Sequence, residues 1–159
     1  MEPAMNFRIS GLPADDFDHL FELDAETLAA RGMVRVIADA DFGYPDRITL
    51  EDAPRGCELI LLTYHHQTAA TPYNAKGPVF VSRGEGGPVR LIDQIPTSLR
   101  RRPLSLRAYD KAGMMSDAIL TDGADCEQAI NDLFAVPGTD YIHAHYALRG
   151  CYAAHIKRA

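Results

Sequence analysis

The chain has 159 residues, room for one core of ordinary size, and 47% hydrophobic with 24% charged residues excludes disorder as its main state. A formal net charge of −6 supplies no positive field for a phosphate backbone, which argues against a nucleic-acid partner. No stretch approaches the roughly 20 apolar residues of a membrane span, and Met1 to Ser10 lack the apolar segment of a signal peptide, so the expectation is a cytoplasmic protein with no membrane partner.

In chain order, a strand is expected over Asn6 to Ser10, and Gly11, Leu12 and Pro13 then open a helix with Phe17, Leu20 and Phe21 on one face. A second helical turn follows, capped by Asp24, packing Leu28 and Ala29 inward and ending at Gly32. Strand spacing then predicts Met33 to Ala38, Arg47 to Leu50, and the long apolar run Cys57 to His66. Gln67 to Lys76 reads as a loop, Gly77 to Arg83 as a strand, and the Gly84, Gly86, Gly87, Pro88 stretch as a second loop. A short helix follows Pro96 and ends in Arg100, Arg101 and Arg102, where its dipole favours cations. Leu104 to Tyr109 and Met114 to Leu120 form a hairpin around Asp110 to Gly113. Asp122 or Asp125 caps the next helix, whose buried stripe is Cys126, Ile130, Leu133 and Phe134. A second hairpin, Tyr141 to Ala147 and Cys151 to Lys157, closes the chain. Strands adjacent in sequence with few helices between them predict one α+β domain over residues 1–159, with a mainly antiparallel sheet, N-terminal helices and one helix between two C-terminal hairpins.

The last hairpin carries the main candidate site. A three-residue loop of Leu148, Arg149 and Gly150 puts its left-handed residue at Gly150. That register sets His143 opposite His155, His145 opposite Ala153 and Ala147 opposite Cys151, all on one face. His143, His145 and His155 can then converge on one ion, the way catalytic zinc is commonly held with a fourth position open. A two- or four-residue loop would shift the register and leave only the His143 and His145 pair.

Cys151, beside Arg149 and near imidazoles, has the electropositive surroundings of a nucleophile, so His143, His145 and Cys151 are the candidate catalytic groups. Tyr64, His65 and His66 end the long strand, where either imidazole can join the cluster or act as acid or base. Arg107 alternates with apolar neighbours and shares a face with Ser105 and Tyr109, a suitable wall for an anionic small molecule. The three cysteines, Cys57, Cys126 and Cys151, lack CxxC spacing and read as reduced thiols. No dinucleotide, P-loop, zincin or hydrolase-elbow motif is present.

The run Phe7 to Leu12, the segments Arg107-Ala108-Tyr109-Asp110 and Gly113-Met114-Met115, and the pair Tyr141-Ile142-His143-Ala144-His145 and Arg149-Gly150-Cys151-Tyr152-Ala153 together resemble a bacterial domain-of-unknown-function family, number 1203. The resemblance implies an uncharacterised bacterial protein and brings no reaction with it. Two readings remain: a small-molecule or metal site, for a divalent ion such as zinc and open to catalysis, on the His-x-His hairpin, or a non-catalytic module that binds an anion through Arg107, Tyr109 and Arg149 or self-associates into a homo-oligomer through a sheet edge.

Overall fold

A computed structural model describes residues 6–159. Its strands are β1 (Phe7–Ser10), β2 (Val34–Ile37), β3 (Glu58–Gln67), β4 (Ala75–Ser82), β5 (Arg90–Ile92), β6 (Leu104–Tyr109), β7 (Met115–Thr121), β8 (Tyr141–Tyr146) and β9 (Tyr152–Arg158). The α-helices are α1 (Ala25–Ala30), α2 (Thr97–Arg100) and α3 (Cys126–Ala135). The strands form a six-stranded sheet in the order β5-β1-β9-β8-β6-β7 and a three-stranded sheet β2-β3-β4. Every strand pairing is antiparallel. The class is therefore α+β, as the order of elements predicts.

Period-two alternation divides the large sheet into two unlike faces. Ile9, Leu104, Leu106, Ala108, Ile142, Ala144 and Ile156 face α3, whose Cys126, Ile130, Leu133 and Phe134 complete the main core. The stripe expected for α3 is the one that is buried. The opposite face carries Ser105, Arg107 and Tyr109 on β6 in register with His145, His143 and Tyr141 on β8. A second core joins the small sheet, through Ile60, Leu62, Val79 and Val81, to Leu12, Leu20, Phe21 and Leu28 and to Tyr152 of the large sheet. The small sheet is thereby fastened over one end of the polar face.

Several local expectations are corrected. The first expected helix is two 3-10 turns, Ala14–Asp16 and Asp18–Glu22, broken at Phe17 with φ −122°. Asp15 and Asp18 turn instead to the amides of Gly86 and Gly84. Asp24 does cap α1, accepting from the Thr27 amide at 2.8 Å, and Gly32 ends it at φ +74°, but Ala29 is exposed. Arg47 to Leu50 is a turn, not a strand. The Asp46 carboxylate accepts from the Ile48 and Thr49 amides and curls the chain, which the positive φ of Leu50 completes. Neither Asp122 nor Asp125 caps α3 with its side chain; a 3-10 turn, Gly123–Asp125, leads into it. Of the arginine triplet, Arg102 pairs with Asp52 and Arg101 lies 3.8 Å over the Phe42 ring. Among the described residues, no helix is long and apolar enough to cross a membrane.

Candidate metal centre

The terminal hairpin has Gly150 at φ +78°, the left-handed residue expected, but the Tyr146 amide donates to the Cys151 carbonyl, so the loop is Ala147 to Gly150, four residues rather than three. His143 still lies opposite His155. One pair further on, a bulge between Ala144 and His145 shifts the register, so His145 opposes Tyr152 rather than Ala153. The extra residue, Ala153, packs into the core on the other face. The same shift carries Cys151 off the histidine face: its carbonyl accepts from the Tyr146 amide, it packs against the main core, and its thiol takes an N–H from Arg47 at 3.2 Å. Ala147 opposite Cys151 and a shared histidine–thiol face are thus not what the chain adopts.

Tyr152 stands in the place expected for Ala153, and its ring stacks on His66 at 5.3 Å and 5°. His66 reaches over from the end of β3, edge-on to His145 at 5.0 Å and to His143 at 6.2 Å. His66, His143 and His145 each offer a nitrogen, and these nitrogens all lie within 4.8 Å of one another. His155 stands behind this group, its Nδ1 3.2 Å from the His143 Nε2.

The hydrogen bonds define which lone pairs are free. His145 Nδ1 is 2.9 Å from the Gly150 carbonyl, which can only accept, so Nδ1 carries the proton. In the neutral ring the lone pair is then on Nε2, a buried atom with no partner. His143 Nδ1 and His66 Nδ1 are buried without partners as well. Buried polar atoms are nearly always hydrogen-bonded, and here one orphan falls on each of three adjoining imidazoles.

Burial keeps these rings neutral. It pushes His143 down to about 2, helped by His155, His145, His66 and Arg107. His145 is pushed down to about 4, the Gly150 carbonyl opposing the effect. His155 is also lowered to about 4, first by burial and then by Lys157 and Arg8, and His66 is lowered by burial and Arg107. Neutral imidazole is the form that ligates a metal.

The remaining candidates separate into three groups. Arg107, in register with His143, donates to Ser105 Oγ at 3.3 Å on the histidine face, and buried Tyr109 stacks on Tyr141 at 5.1 Å. Tyr64 packs in the second core beside Tyr152, with burial raising its phenol, while His65 points away, exposed and bonded to Asn74 Oδ1 at 2.8 Å. Arg149 lies exposed on the hairpin tip and, with Cys151, lines a different cavity. Sequence reasoning missed Arg47, read as a strand residue, and Tyr152, placed on no site. Neither has a spacing signal, since the turn and the bulge that position them are tertiary features.

No curated protein and no solved structure matches the chain. Residues 43–158, which include all the histidines of the cluster, match the model of DUF1203, described as a protein of unknown function, and the chain belongs to that family.

Proposed function

We propose that the protein binds one divalent transition-metal ion, zinc by preference, through His66, His143 and His145. The observation that carries this is that each of the three rings has a buried nitrogen without a partner and that the rings offer ligand nitrogens within 4.8 Å of one another. Three nitrogens at zinc bond lengths of about 2.0–2.1 Å stand about 3.3 Å apart in a tetrahedron, so donors within 4.8 Å of one another close by at most about 1.5 Å on binding. Gly150 and His155 orient His145 and His143 from their far nitrogens, the usual outer support of ligating imidazoles. Three protein ligands leave a position for water, whose proton such an ion makes easier to remove. Arg107 on the same face favours an anionic group there.

The test is elemental analysis of the full chain, purified without a metal-affinity tag, before and after zinc is added to chelator-treated protein. The expected result is close to one equivalent, lost in His143→Ala/His145→Ala and in His66→Ala and kept in His65→Ala. Less than about 0.1 equivalent with no uptake of added zinc refutes the reading.

A further inference from the structure

The loop from Phe42 to Arg47 and the facing ends of the two sheets enclose a cavity of about 390 Å³, within the roughly 300–1,000 Å³ usual for small-molecule clefts. None of the cluster histidines lines it. Its walls are mostly apolar, with Leu61, Pro78 and Phe80 from the small sheet and Tyr146 from the large one.

One wall residue does not belong in an apolar setting. Arg47 is only 1% exposed. Its Nε donates to the Tyr152 carbonyl at 2.9 Å, Nη1 to the Pro45 carbonyl at 2.6 Å and Nη2 to Cys151 Sγ at 3.2 Å. A guanidinium has five N–H groups, so two find no hydrogen-bond acceptor among the described residues. Its Cζ lies 5.1 Å from the centre of the Tyr146 ring, but no described carboxylate pairs with its charge. Among the described residues, the ion pairs join Arg35 to Glu58, Arg83 to Glu22 and Arg102 to Asp52. The carboxylate of the adjoining Asp46 is taken up by the Ile48 and Ser82 amides and by hydroxyls of Thr49 and Ser82.

A buried cation with no counter-charge is strongly unfavourable. Facing a cavity, it is compensated when an anion enters. Two further cations line the cavity, Arg102, which is paired with Asp52, and the exposed Arg149. Apolar walls favour a carboxylate attached to an apolar body over a small, heavily hydrated oxyanion.

We propose that this cavity binds a small organic carboxylate, its charged end paired with the Arg47 guanidinium and its apolar body against Leu61, Pro78 and Phe80. The site is independent of the metal reading, since it shares no residue with the three imidazoles.

The experiment titrates the full chain with benzoate, 3-phenylpropionate and hexanoate, with their neutral amides, and with inorganic phosphate, by calorimetry and by amide chemical-shift mapping. Every titration is repeated with EDTA, so that an anion held by a metal is recognised. At least one carboxylate is expected to bind about tenfold or more tighter than its amide and than phosphate. Shifts should centre on residues 42–47 and 148–151, unchanged by EDTA. Arg149→Ala, at the exposed rim, should weaken binding severalfold, and Arg47→Gln should abolish the preference for acid over amide. Because Arg47 also holds two carbonyls, a misfolded Arg47→Gln leaves the acid–amide comparison and Arg149→Ala to decide. Equal binding of acid and amide, tighter binding of phosphate, shifts centred on the histidines, loss of binding in EDTA, or no binding by any of the three acids up to about 10 mM overturns the proposal.

Discussion

Acidifying the metal-free protein from pH 7 to pH 5 should remove about 4 kcal/mol of folding stability through His143 and His145 alone. In the unfolded chain both imidazoles titrate near 6.5. In the folded protein burial holds His143 near 2 and His145 near 4. Unfolding therefore takes up protons below pH 6.5, and stability falls as pH drops through that window. Above the unfolded value both states are neutral and the effect vanishes. Each pH unit below 6.5 is worth about 1.4 kcal/mol per imidazole, or about 2 kcal/mol each by pH 5. His66 and His155 are lowered in the same direction and steepen the fall. The assay is urea denaturation in EDTA at pH 7, 6 and 5, for the wild type and for His143→Asn/His145→Asn. A fall of less than about 1 kcal/mol, or an undiminished fall in the double variant, shows that the rings are not held neutral by burial and refutes the reasoning.

Further outcomes follow from single contacts. Zinc at 100 times its dissociation constant should raise stability by about 2.7 kcal/mol in the wild type and not in His66→Ala, as read by thermal or urea unfolding at pH 7. In Gly123→Ala the new Cβ would lie 2.1 Å from the Leu99 carbonyl oxygen and 2.5 Å from that of Arg100, a backbone clash expected to cost about 3 kcal/mol by urea denaturation. Asp46→Ala removes the acceptor shared by the buried Ile48 and Ser82 amides, and a loss of about 3–5 kcal/mol is expected in the same assay. Asp24→Ala, which uncaps α1 at an exposed position, should cost only about 1 kcal/mol.

How much of this could be read from the chain depends on how local each cause is. The Gly150 turn, the buried stripe of α3 and the alternation of β6 and β8 follow from a glycine at positive φ and from side-chain periods of 3.6 and 2. These predict the antiparallel α+β class; the pairing of His143 with His155 follows from a three-residue loop in the sequence, but the chain reaches it through a four-residue turn offset by the bulge. The Arg47 to Leu50 turn was not legible, because its apolar residues fit a strand and only the hydrogen bonds of the Asp46 side chain turn the backbone.

The candidate site shows the same division more sharply. Sequence by itself put His143 and His145 on one face, because any i, i+2 pair in a strand shares a side. Tertiary structure decided who joins them. The bulge beside His145 exchanges Ala153 for Tyr152 and turns Cys151 toward Arg47, and packing of the small sheet over the polar face brings His66 to His143, 77 residues further along the chain. One residue of register and one sheet-to-sheet contact are non-local quantities, which hydrophobic period does not encode.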